Sequence, residues 1–248
     1  MEGQVCKVLV VGCTQGVGLE VTKALLGVPE NYEVHALVRN REKALKALGD
    51  EAPKVNFIDG DITKEETLEP ACQGMDAVVC TVGATAGWRI PGLSQDTPRH
   101  VDFLGVKKLS EAAASAKVPK FVLVSSLGVT RPWFIVSILL NILVGRVLVW
   151  KLKGEDALRE SYTKHEHINY YIVRPGGLTR KEGGKHGIIV DQGDKGNGMI
   201  TRSDVAHVVI ACINGACTPN STFEIWNTKQ EEVPDLSSLT KLAPDKIQ

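Results

Sequence analysis

Short unbroken runs of Val, Ile and Leu alternate along this chain with longer segments in which apolar residues recur every three or four positions. A strand apolar at every position, rather than at alternate ones, is covered on both faces, which is the habit of parallel sheets with helices on either side. The runs predict strands at 7–11, 33–38, 55–59, 77–81, 121–125, 170–174 and 222–226. The intervening periodic segments predict helices at 17–26, 41–48, 65–72, 98–116, 132–161 and 203–214. This β-α-β alternation implies an α/β fold, a doubly wound parallel sheet of about seven strands. No internal repeat appears. A Gly/Lys-rich stretch at 176–198 and a polar tail from 228 are too short for a second domain, so 1–248 is expected to be one domain, with small substrate-side elements around 176–202.

Composition narrows the class. The chain has 248 residues, 43% of them hydrophobic, with 29 Lys+Arg against 29 Asp+Glu. That is enough apolar content for one sizeable core. Without a basic excess there is no electrostatic reason to expect a nucleic-acid partner. Six cysteines (Cys6, Cys13, Cys72, Cys80, Cys212 and Cys217) are scattered without a CxxC pair, mostly in apolar runs. There Cys behaves as a small hydrophobe, and a reducing compartment fits better than a disulfide framework. The start, MEGQVCKVLVVG, carries no basic region followed by a long apolar stretch. A cytoplasmic location is the expectation.

The first candidate chemistry sits where the first strand meets the first helix. KVLVV runs directly into GCTQGVG and then LEVTKALL, and that context makes a weak glycine pattern informative. Gly12 suits a tight turn, Gly16 a close backbone approach to a pyrophosphate, and Gly18 close helix–strand packing. Cys13, Thr14, Gln15 and Val17 complete the loop, and unpaired N–H groups at the helix start would face the anion. The bland alternative is an ordinary βα turn. The second strand ends in VHALVRNR, with Arg39 about twenty residues after the last glycine, where an acidic residue would hold the 2′-hydroxyl of NAD. Arg39, with Arg41 nearby, could instead clamp a 2′-phosphate, so NADP(H) is the expected cofactor; otherwise Arg39 merely solvates a helix start. After the third strand, Asp61 and Ile62 of GDIT fall where an adenine would lie. Asp61 either accepts from the adenine amino group or caps the next helix.

Taken together, GCTQGVG, Arg39, GDIT, CTVGA after strand four, VSSLGV after strand five and VRPGGL after strand six resemble an atypical short-chain dehydrogenase/reductase, over roughly 5–226. The resemblance implies a Rossmann-type fold, with Thr81, Val82 and Gly83 beside the adenosine ribose and Pro175, Gly176 and Gly177 beside the nicotinamide. The first motif departs from the commonest atypical form, reading GxxxGxG. The resemblance also implies a Ser that orients the substrate carbonyl, a Tyr acid, and a Lys four residues later. Ser125 or Ser126 supplies the first. On the long segment VLVWKLKGEDALRES, giving Lys153 the Lys role puts Val149 at the Tyr position, and giving it to Lys151 puts Val147 there. Valine transfers no proton.

Three readings stay open. In the first, the protein is an oxidoreductase whose carbonyl, quinone or flavin-like substrate needs hydride but no Tyr acid. In the second, another donor, Tyr162, Tyr170 or Tyr171, reaches the site. Or the chain is an NADP(H)-binding sensor or scaffold without turnover, or a non-redox enzyme on the same fold. The stretch 132–150 is very apolar but is interrupted by Ser137, Asn141, Gly145 and Arg146, and is shorter than the ~20 residues of a bilayer span. It reads as a buried helix that also forms a dimer interface, or as an apolar substrate wall or peripheral membrane contact. His165 and His167 lie two apart in a charged segment and make no metal pair. No metal is expected. TRKEGGKHG after the sixth strand reads as a flexible lid.

Overall fold

The computed structural model describes residues 5–84, 96–131, 141 and 145–246. The described residues form the strands β1 (Cys6–Val11), β2 (Tyr32–Val38), β3 (Asn56–Asp59), β4 (Ala77–Cys80), β5 (Lys120–Val124), β6 (Asn169–Pro175), β7 (Gly177–Thr179), β8 (His186–Asp191), β9 (Met199–Thr201) and β10 (Ser221–Glu231). Among the same residues lie the α-helices α1 (Gly16–Leu26), α2 (Arg41–Leu48), α3 (Leu68–Cys72), α4 (Val106–Ser115), α5 (Val147–Thr163) and α6 (Arg202–Ile213). Eight strands make one sheet in the order β3-β2-β1-β4-β5-β6-β10-β8, parallel except for β8, which runs antiparallel to β10; β7 and β9 pair separately.

The seven expected strands are all present within a few residues of their expected bounds. β7, β8 and β9 were not foreseen, because each is short or lies at the sheet edge in a Gly/Lys-rich stretch. The expected lid is accordingly a structured segment: Lys185 O accepts from Glu232 N, and His186 begins β8. The tail is not merely polar either. Leu239 and Leu242 are buried in the core, and the Asp245 carboxylate accepts from Arg159 Nε, Thr222 N, Thr222 Oγ1 and Tyr170 Oη at 2.6–3.1 Å.

The strand pattern partitions the core by residue parity. Val8 and Val10 of β1 join one cluster with Val21, Leu25, Val205 and Val209 of α1 and α6; Leu9 and Val11 join the other with Leu68, Leu109 and Leu158 of α3, α4 and α5. The same alternation holds on β4, where Val79 faces the first layer and Val78 the second. Successive side chains on a strand point to opposite faces, so each central strand must be apolar throughout. The two layers diverge at β1 and β4, where the strand order reverses, and a crevice opens at the carboxyl ends of these strands.

One expected helix is interrupted. Residues 98–116 begin as a π-helical run, Arg99–Gly105, before α4. The expectation of one helix over 132–161 falls largely outside the described residues; Gly145 (φ 65°) and Arg146 (φ 62°) have left-handed backbone, so α5 starts only at Val147. The readings of 132–150 as interface, substrate wall or membrane contact rest largely on 132–140 and 142–144, which lie outside the described residues.

Candidate active site

The crevice at the β1/β4 divide is a cleft of about 370 Å³, lined by Gly12, Cys13, Thr14 and Gln15, by Arg39, Asn40 and Lys43, by Gly60 and Ile62, and by Thr81, Val82, Gly83, Ala84 and Asp96. The glycines have separable causes. A Cβ on Gly18 would lie 2.2 Å from the Gly12 carbonyl oxygen and 2.3 Å from Thr81 Oγ1, so only glycine lets α1 sit against the turn. Gly16 has φ +62° and open space around it, leaving its backbone accessible to a ligand. Thr81 Oγ1 donates to Val11 O at 3.1 Å, tying β4 to the turn. The amino end of α1 carries no side-chain cap and no acidic residue in its first turn. Free N–H groups beside a glycine turn suit a pyrophosphate. Val17 is buried against the core rather than lining the cleft. Burial pushes the Cys13 thiol up to about 11, so packing outweighs any acidifying effect of the helix end.

At the other end of the cleft, Arg39 stands as expected, but Arg41 does not join it. Its guanidinium lies 3.8 Å from Asp59 and 5.5 Å from the centre of the Phe57 ring. Asn40 instead caps α2 by accepting from Lys43 N at 2.8 Å, which brings Lys43 to the cleft. Ile62 lines the cleft, whereas Asp61 is engaged in its own turn. Its Oδ1 accepts from Thr63 N and Thr63 Oγ1, and its Oδ2 is 3.8 Å from Arg39 Nη1.

The lysine of the long helix is the main reassignment. Lys153 is exposed, with its ammonium 5.1 Å from the Trp150 ring and 5.8 Å from the Phe103 ring. Lys151 points the other way, about 200° around the helix. Its Nζ is 2.8 Å from Asp102 Oδ1 and 3.4 Å from the Val82 carbonyl oxygen, at the wall of the cleft. Asp102 is fully buried and its Oδ2 accepts from Ala84 N at 2.9 Å. Gly154 explains the approach: a Cβ there would lie 2.2 Å from Asp102 O, so α5 touches the π-helical run directly. A glycine inside a helical segment was the available sequence signal for this contact; Asp102 itself, a charge inside the apolar run VDFLG, was the other.

Ser125 follows β5, with its amide donating to Val173 O at 2.8 Å. Its hydroxyl is buried and has no partner among the described residues. Ser126 Oγ donates to Leu127 O at 3.1 Å. Neither serine lines the cleft just described, though both lie at the same edge of the sheet. Pro175 ends β6, and Gly176 and Gly177 are explained by strand packing: a Cβ on Gly176 would strike Gly198 O at 2.3 Å, one on Gly177 would strike Met199 Sδ at 2.4 Å.

No tyrosine takes the missing place. All four in the chain are accounted for elsewhere: Tyr32 Oη donates to Asn214 Oδ1, Tyr162 Oη to Val118 O, Tyr170 Oη to Asp245 Oδ2, and Tyr171 is buried in the core. Burial and the Asp245 carboxylate hold the Tyr170 phenol well above its ordinary range, and burial does the same for Tyr162. The reading in which one of these tyrosines supplies the proton is therefore overturned. Among the described residues no His/Cys/Asp/Glu group could hold a metal, and His167 is fully exposed on its loop.

A family model described as NAD(P)H-binding matches residues 12–216. Sanguinarine reductase of Eschscholzia californica is 30% identical over 252 aligned positions, gaps included, covering 88% of each chain. Protein TIC 62 of Arabidopsis thaliana is 36% identical over 188 aligned positions, an alignment that covers 70% of this chain but only 27% of that relative. Among solved structures, a Bacillus halodurans protein described as of the NAD-dependent epimerase/dehydratase kind superposes with a TM-score of 0.73 at 25% identity, covering 95% of this chain and 99% of its own. The chain belongs to the NAD(P)H-binding family and is an atypical short-chain dehydrogenase/reductase.

Proposed function

We propose that the protein is an NADPH-dependent reductase that reduces an apolar, conjugated acceptor of the quinone, flavin or activated-carbonyl kind without a tyrosine acid. The observation that carries this reading is the placement of all four tyrosines away from the cleft. A saturated ketone develops a localised alkoxide that needs a positioned acid, whereas a conjugated acceptor spreads the charge and can take its proton from water. Sanguinarine reductase, a relative of matching extent, supports reduction.

The residues fit the cofactor. The backbone of Gly12–Gly16 and the start of α1 would hold the pyrophosphate, Thr81–Gly83 the ribose, and Arg39 with Lys43 a 2′-phosphate. Bound reduced cofactor supplies the hydride. Lys151, aimed at the cleft wall by Asp102, takes the role first expected of Lys153: it places a positive charge beside the ribose and offsets negative charge developing on the acceptor. Ser125, whose buried hydroxyl has no partner among the described residues, is positioned to donate to a polar atom of the acceptor at the end of β5. A scaffold without turnover has no chemical use for a buried Lys151–Asp102 pair, and this favours the enzyme.

The test is NADPH oxidation, followed by absorbance, against a panel of quinones, flavins, conjugated carbonyls and simple ketones. Turnover with conjugated acceptors and none with simple ketones is expected. Cofactor binding with no turnover across the whole panel would overturn the reading in favour of a sensor or scaffold.

A further inference from the structure

The preference for a 2′-phosphate was inferred from the lack of an acid just after β2. The fold brings acids to that place from elsewhere. The carboxylate of Asp96, 57 residues away in sequence, accepts from Arg39 Nη1, and Asp61 Oδ2 is 3.8 Å from the same nitrogen. Asp61 is also held by Thr63, but Asp96 lines the cleft itself beside Arg39, Asn40 and Lys43. Its position is set by the helical run that follows, where Thr97 O accepts from His100 N and Val101 N and Thr97 Oγ1 pairs with His100 Nδ1.

The guanidinium that would hold a 2′-phosphate is thus already paired with a carboxylate at the mouth of the cleft. A dianionic phosphate arriving there must displace Asp96 and is also repelled by it. A free 2′-hydroxyl meets neither obstacle, and Asp96 can accept a hydrogen bond from it. We propose that Asp96 sets the cofactor selectivity of this protein, competing with the 2′-phosphate for Arg39 and accepting the 2′-hydroxyl of the unphosphorylated cofactor. The chain would then use both cofactors, with its preference for NADPH held below what Arg39 and Lys43 alone would give. This rests on the reading that Arg39 faces the 2′ position.

The competition is modest, because Arg39 and Asp96 are 56% and 38% exposed. An ion pair between exposed partners shifts an equilibrium by up to about fivefold, and loss of the direct repulsion adds in the same direction. Calorimetric titration of NADPH and NADH into the parent, Asp96→Asn, Asp96→Ser, Arg39→Ala and the Arg39→Ala/Asp96→Asn double variant reads this directly. Asp96→Asn is expected to tighten NADPH by about threefold to tenfold while leaving NADH unchanged or weaker. Asp96→Ser should do the same, which separates loss of the carboxylate from any new contact made by the Asn amide. In the Arg39→Ala background the gain should shrink, since there is no guanidinium left to release. If both Asp96 variants shift the two cofactors by one common factor, or not at all, while Arg39→Ala still loses NADPH selectively, the inference about Asp96 fails and the 2′-phosphate reading stands. If Arg39→Ala leaves the NADPH/NADH ratio unchanged, the reading itself fails and the inference with it.

Discussion

Lys151→Met and Lys153→Met form a matched pair that separates the two lysines of α5. Methionine keeps most of the apolar stem and removes the charge. Lys151 pairs at 2.8 Å with Asp102, whose side chain is fully buried and whose other oxygen is already held by Ala84 N. Taking away the ammonium leaves a buried carboxylate uncompensated, which costs about 3–5 kcal/mol when one partner of a buried pair is removed. Lys153 contributes only an exposed cation–π contact to Trp150 and Phe103, worth about 0.5–1 kcal/mol. Urea unfolding followed by tryptophan fluorescence, with NADPH titration of each folded variant, measures both quantities. Lys151→Met should be the less stable by at least about 2 kcal/mol and the weaker in NADPH binding and turnover. Adding Asp102→Asn should restore much of the stability without restoring turnover. Equal stability and equal cofactor affinity in the two single variants would refute the assignment of Lys151 to the site.

Gly18→Ala should abolish NAD(P)H binding in a fluorescence titration, because its Cβ would overlap Gly12 O and Thr81 Oγ1; Gly16→Ala should cost only about 1–2 kcal/mol of stability, the left-handed backbone being its sole obstacle. Ser125→Ala removes a buried hydroxyl that has no partner among the described residues, so thermal unfolding should show no loss of stability while turnover falls. Burial raises the pKa of Glu224 above the ordinary glutamate range despite its bond to Arg174, so its folded form holds a proton more tightly than the unfolded chain. That contribution is present below the unfolded value and is lost as pH rises through the folded one. Glu224→Gln should therefore show a flatter decline of unfolding free energy than the parent over that window, and a decline of equal slope would refute the sign.

Much of this protein is written locally in its sequence. Continuous apolar strands such as KVLVV and AVVC can be buried only between two helical layers, so the parallel sheet follows from residues adjacent in the chain. The GCTQGVG turn is equally local, since a βα turn that must admit both an anion and a close helix leaves glycine few substitutes at Gly16 and Gly18. Contacts between distant segments were not legible in this way. Lys151 and Lys153 are nearly equivalent in sequence, and only the packing of Gly154 on the π-helical run at Asp102 turns one to the wall of the cleft and the other to solvent. Arg39 reads as unopposed after β2 because Asp96 comes from 57 residues further on. The edge strand β8 draws its pairing from β10 rather than from its own composition. Periodicity and turn chemistry act over a few residues, and for that reason they determine the frame. The partner of a charge is chosen by which elements the folded core brings side by side, and that only the tertiary structure decides.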